Sequence, residues 1–239
     1  MLNQSELTSE VAAFKKDAKR RFDEAVSALI TLAWPYRRED FVFDGTFPLY
    51  DDALGVCMTL SDRCASAARE RMEEIIASSL DYADADAAWD AAYGDEEQRS
   101  FDMAGSHLLE LLAVWIAVAA REGWTDGYLR VMISRYLANP FLCPEWRSVP
   151  LDALAWGRGY AKNIPEQLAV IGQGVIVSGA RHAEQVDAVA KGAEYYVRHR
   201  GSGYECDVCD SMVNIPIPVD VPFEIPHPRC VCYPEYFYE

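Results

Sequence analysis

A chain of 239 residues that is 51% hydrophobic and 25% charged has a globular composition, which excludes a disordered or fibrous protein. Its 22 basic residues against 38 acidic ones leave a net charge of −16, a field that repels a phosphate backbone, so direct nucleic-acid binding is not expected. The length allows one or two domains with a real core, for which 6 Trp, 9 Phe and 13 Tyr supply bulk.

Thr8 to Trp34 reads as a long helix, with Phe14, Ala18, Phe22, Val26, Leu29 and Ala33 forming one apolar stripe at helical spacing. Pro35 ends it and pushes Trp34 out of helical geometry. The dense basic run Lys15 to Arg21 lies inside this helix and reads as a solvated face. Arg37 to Tyr50 is a loop. A second helix runs from about Asp52 to Leu80, with Asp51 and Asp52 at its positive end. Asp81 to Glu97 holds a short exposed helix between loops. Further helices cover Gln98 to Arg121, stopped by Gly123, and Thr125 to Ala138, stopped by Asn139-Pro140. The longest apolar run, Leu111 to Ala120, is too short to cross a bilayer and reads as a buried core helix, so no membrane partner is expected. The opening MLNQSELTSEV lacks the basic start and apolar core of a signal peptide, which points to synthesis in a cytoplasm.

Phe141 to Gly159 is irregular and marks the expected boundary between a helical region, 1–150, and a second module, 151–239. Two helices follow, Pro165 to Ser178 and Ala180 to Gly192, and Tyr195-Tyr196-Val197 begins a strand. Gly172-Gln-Gly174 lacks the strand-turn-helix context of a dinucleotide fingerprint and reads as a helix break or a close packing point. From Gly201 the pattern changes: prolines recur and helical periodicity ends. Such a segment needs a staple. The expected fold is therefore mainly α with a small α+β C-terminal module, a proline-rich, β-containing tail held by a Cys/His cluster.

Of the 7 cysteines, Cys57 and Cys64 share one face of the second helix and read, like Cys143, as buried free thiols. The other four are clustered: Cys206-Asp-Val-Cys209, a proline-bearing loop, then His227-Pro-Arg-Cys230-Val-Cys232. A Cys-x-x-Cys turn aims two thiolates at one point, and Cys230 and Cys232 lie on the same side of an extended chain. Zinc takes four such ligands tetrahedrally, so Cys206, Cys209, His227, Cys230 and Cys232 are the candidate metal residues and Zn2+ the candidate cofactor, in a structural role. Either His227 replaces one thiol or it supports the site from behind. Disulfides and reduced, metal-free thiols are the competing readings.

An enzymatic alternative rests on His182-Ala-Glu184 upstream of Cys206 and Cys209. In zinc-dependent nucleobase deaminases a His and two Cys bind zinc and the Glu moves protons. Here Glu205 stands where that pattern has proline, and a proline-rich stretch follows Cys209 where that fold needs a helix. His182 and Glu184 also read simply as polar positions on a helix. No P-loop, Gly-x-Ser-x-Gly elbow or His-Glu-x-x-His is present. His107 reads as a satisfied mid-helix histidine and His199 as part of a basic turn. No catalytic residue is assigned.

The segment Gly159 to Phe237 resembles the Mu F-like family of phage head-morphogenesis (minor head) proteins. The resemblance lies in Tyr204-Glu-Cys-Asp-Val-Cys209, the proline-bearing loop and Ile225-Pro-His-Pro-Arg-Cys-Val-Cys232. It departs from the family's common Cys-Arg-Cys ending at Val231. The resemblance implies a structural, non-enzymatic virion component, made in the host cytoplasm or by a prophage. Its implied partners are portal and capsid proteins, with copies of the chain itself a further candidate. The loop Ser211 to Pro226 carries Met212, Val213, Ile215, Ile217, Val219, Val221 and Phe223. It either packs on its own module or offers a strand to a partner.

Overall fold

The computed structural model describes residues 2–138, 163–201, 206–227 and 230–238. The protein is mainly helical, with a small antiparallel sheet near its C-terminal end. The expected boundary between 1–150 and 151–239, the Asn139-Pro140 stop, Cys143 and Gly157-Arg-Gly159 lie outside the described residues.

Helix α1 covers Gln4–Ala33 and starts earlier than the apolar stripe predicts. The cause is Asn3, whose Oδ1 accepts the amides of Ser5 and Glu6 at 3.0 and 3.4 Å. All six stripe residues are buried. Trp34–Tyr36 then forms a 3-10 turn with Pro35 in its first positions. The basic run is solvated, as expected, and neutralised locally: Asp17 pairs with Arg20 at 2.8 Å and Arg21 at 3.3 Å, and Lys19 with Asp23 at 2.6 Å. In the following loop Tyr36, Phe41, Phe43 and Phe47 stack edge to face.

Helix α2 spans Tyr50–Ser79 and α3 spans Ala85–Ala92, the latter capped by Asp84. Helix α4, Asp95–Arg121, begins before Gln98 because Glu97 reaches back to the Gly94 amide at 2.9 Å. It stops at Gly123, whose φ of +67° is the left-handed turn that glycine supplies. By length and composition α4 could cross a bilayer, but more than half of that stretch is buried inside the protein. Helix α5, Asp126–Ala138, is capped by the Thr125 hydroxyl.

Helix α6 runs unbroken over Ile164–Ala190, which corrects the expectation of two helices parted at Gly179. Its glycines are not breaks but places of close approach. A Cβ at Gly172 would enter the Phe14 ring, and one at Gly179 would strike the Met72 sulfur. Gly192, at φ +86°, turns the chain into strand β1, Ala193–His199. A one-turn helix α7, Asp207–Asp210, and strands β2, Pro216–Pro218, and β3, Tyr233–Tyr238, complete the described elements. The sheet order is β2-β1-β3, with Tyr196 opposite Ile217 on one side and Tyr236 on the other. Both proline-bearing strands are edges, where a missing amide is tolerated.

The chain forms two compact units. One comprises Met1–Lys15, Ser66–Glu97 and Val170–Glu239, the other Lys16–Ala65 and Gln98–Ala169. The first holds a small core of Ala188, Ala193, Tyr196, Cys209, Phe223, Cys230, Cys232 and Tyr236.

Candidate metal centre

Three short pieces of chain bring the Cys/His residues together. Cys206 stands at the N-terminal edge of α7, and its carbonyl accepts the Asp210 amide at 2.8 Å. One helical turn therefore separates Cys206 from Cys209 and puts both sulfurs on one side. Arg200 braces this turn through Asp210 at 2.5 Å. The His227 carbonyl accepts the Cys230 amide at 2.9 Å, which carries the chain from the imidazole to the Cys-x-Cys pair just before β3.

The result is two overlapping groups of ligand atoms, Cys206-Cys209-His227 and Cys209-Cys230-Cys232, each with all its atoms within 4.8 Å of one another. His227 Nε2 lies 3.5 Å from Cys206 Sγ and 3.3 Å from Cys209 Sγ, and Cys209 Sγ lies 3.8 Å from Cys230 Sγ. Zinc bonds of about 2.3 Å to sulfur and about 2.0 Å to nitrogen put tetrahedral neighbours roughly 3.5–3.8 Å apart. Cys206–His227 and Cys209–Cys230 match such edges and Cys209–His227 is slightly shorter, while the donors close up in two groups of three rather than one group of four. Cys209 is the member common to both groups. Thiolate and imidazole donors also suit zinc in kind.

Cys209, Cys230 and Cys232 are buried and Cys206 is half-buried. Burial pushes the Cys209 thiol up to about 12. Cys230 donates its S–H to Cys232, which raises Cys230 and brings Cys232 down to about 5; the Gly201 amide and the Arg198 charge also favour the Cys232 thiolate. Gly201 is pressed against this segment, since a Cβ there would collide with the Val231 carbonyl.

Side chains hold the loop after α7 in addition to its β2 pairing and a turn in which the Val221 amide donates to the Pro218 carbonyl at 3.0 Å. Gln185 Nε2 donates to the Val219 and Val221 carbonyls at 2.6 and 2.8 Å, while its Oε1 accepts the Phe223 amide at 2.9 Å. Tyr196 Oη donates to the Pro222 carbonyl and Arg198 Nη2 to that of Glu224. Ile217, Val219, Phe223 and Ile225 pack in or against the small core, whereas Ile215 and Val221 are exposed. Three of the seven apolar residues named for the loop, Ile217, Val219 and Phe223, are thus used within the module, with Ile225 beside them.

The alternative constellation is not brought together in this way. His182 is exposed and, among the described residues, joins no group of metal-capable atoms with Cys206 or Cys209. Glu184 is buried and engaged: one oxygen accepts the Leu2 amide at 2.8 Å and the other pairs with Arg181 at 2.6 Å. Cys57 and Cys64 are buried free thiols on α2, as the sequence predicts. His107 differs from expectation, because its buried Nδ1 has no hydrogen-bond partner among the described residues. His199 is not in a turn but ends β1, stacked on Tyr233 and 2.8 Å from Glu235.

Arg198, Gly201 and Gln185 are the contributors that sequence reasoning passes over. For Arg198 a signal existed: it stands two residues beyond Tyr196 in an extended run and so faces the same way. The cluster could bind a metal on chemistry and spacing alone. No protein-family model, no curated protein and no solved structure matches the chain.

Proposed function

We propose that Cys206, Cys209, His227 and one thiol of the Cys230/Cys232 pair bind a structural zinc ion. The chain then acts by protein–protein binding in phage head assembly, as a minor head protein at the portal and the inner face of the capsid. The observation that carries the metal reading is the donor spacing. His227 Nε2 sits between Cys206 and Cys209 at or slightly below tetrahedral edge distances, with Cys230 a further edge away from Cys209. Four protein ligands leave no open position for substrate or water, so the ion holds the module and its binding energy becomes folding energy.

The assembly reading is supported by the order of the donors. A Cys-x-x-Cys, a proline-bearing loop and a His-Pro-Arg-Cys-Val-Cys follow one another as in the Mu F-like ending. The charge of −16 suits contact with protein surfaces better than with packaged DNA. Deaminase chemistry has less support, because Glu184 is held by Arg181 and the Leu2 amide. Nucleobase turnover that is lost in Glu184→Ala would reinstate it.

Elemental analysis of the natively purified chain tests the metal. About one zinc per chain, with a melting temperature lowered by a chelator, is the expected result. A zinc-free protein of undiminished stability removes this half. Co-expression with portal and major capsid proteins tests the other half: co-sedimentation with either is expected, and sedimentation apart from both removes it.

A further inference from the structure

Among the described residues of the sheet, Arg198 is the buried charged group on the face that packs against the cysteines. It is 2% exposed, on the same side of β1 as Tyr196, which packs among Cys209, Cys230 and Cys232. Its guanidinium lies 4.0 Å above the Phe223 ring, another member of that core, and Nη2 donates to the Glu224 carbonyl at 2.7 Å. Nε and Nη1 are buried with no hydrogen-bond partner among the described residues, and no carboxylate there pairs with this side chain. The contrast with Arg181, equally buried but paired with Glu184 at 2.6 Å, is direct.

A guanidinium stays charged under all ordinary conditions, and a buried charge without a counter-charge is costly. An aromatic face compensates it only in part. The core that Arg198 faces holds the thiols of Cys209, Cys230 and Cys232, which a bound metal ion keeps as anions. Three thiolates and one imidazole around a divalent ion carry one net negative charge, which a single guanidinium neutralises.

We propose that Arg198 is the buried counter-cation of the metal–thiolate centre, its guanidinium offsetting the net negative charge of the loaded site. The inference rests on the zinc reading above. It makes Arg198 a residue that acts on metal affinity through the thiolates, without touching the ion. Outer groups that hydrogen-bond or charge-balance ligands commonly tune affinity by ~10–100-fold.

Zinc affinity of the full chain, measured by competition with a chromophoric chelator, tests this alongside melting with and without chelator. Arg198→Met is expected to bind zinc at least tenfold more weakly than the unaltered protein. Its melting temperature should fall further below that of the parent in the zinc-loaded protein than in the chelator-treated one. Arg198→Lys keeps the charge and is expected to retain affinity within threefold. A purely structural role would lower the melting of loaded and stripped protein alike and leave affinity unchanged, and that result overturns the proposal. If Arg198→Met does not fold, Arg198→Gln takes its place: zinc binding at least tenfold weaker supports the charge role, and unchanged affinity overturns it. Failure of the unaltered protein to bind zinc overturns the metal reading and this inference together. Zinc bound equally well by parent and Arg198→Met overturns this inference only.

Discussion

Cys57 and Cys64 on α2 are 5% and 0% exposed; Cys209, Cys230 and Cys232 in the C-terminal module are 3%, 2% and 5% exposed. Burial does not separate the two sets. On α2 the thiols are two turns apart, roughly 10 Å along the axis, too far to meet each other. Cys57 packs where Gly105 lets α4 approach, and Ser61 donates to the Phe101 carbonyl one turn further on. In the module the sulfurs meet one another. A helix spreads equivalent side chains along its length, whereas short irregular pieces can bring them to one point. The helical region uses cysteine as a small apolar residue, and the module uses it as a ligand.

Substitution at the shared ligand separates the two uses most strongly. Cys209→Ser is expected to abolish stoichiometric zinc and to cost more than about 4 kcal/mol in urea unfolding, the range of a lost metal site. A variant that keeps its zinc and most of its stability would break the distinction. Close-approach glycines give the next effect. Gly201→Ala and Gly172→Ala should each lose about 1–3 kcal/mol by overpacking, against the Val231 carbonyl and the Phe14 ring respectively. Only Gly201→Ala should also weaken zinc binding, because only Gly201 bears on the Cys-x-Cys segment.

Thiol labelling sharpens the comparison further. In chelator-treated native protein at pH 8, iodoacetamide should modify Cys206 first and leave Cys57 and Cys64 untouched, since burial pushes both of those thiols up to about 12. Peptide mass mapping checks the order. The smallest effect is that of Cys64→Ala, about 1 kcal/mol at neutral pH, with full zinc content. Its signature is in alkali. The folded thiol holds its proton to about 12, while an unfolded one releases it near 9.0. Between these values the unfolded chain binds fewer protons, so stability falls as pH rises. Urea midpoints from pH 8.5 to 11 should fall less steeply in Cys64→Ala than in the parent.

Much of this was readable from the residues. The α1 stripe, the Gly123 stop and the convergence of the five Cys/His donors follow from spacing. Glycine's low helix propensity predicts the parting at Gly179 that α6 does not have. Gly172 and Gly179 instead admit Phe14 and Met72, contacts remote in sequence that no local propensity reveals. Strands β2 and β3 were hidden by Pro216, Pro218 and Pro234. Proline is excluded from a central strand but not from an edge, and edge position depends on the partner strand. The register of Arg198 gives its face, whereas its lack of a counter-charge depends on contacts from distant parts of the chain.

Gln185 carries one consequence beyond the module's own stability. All three of its contacts with the loop fall on main-chain atoms, the carbonyls of Val219 and Val221 and the amide of Phe223. The side chains of Asp220 and Val221 take no part in that grip and point their variation outward. The loop's contour is thus encoded in α6, while the lettering along its outer rim is left open to change.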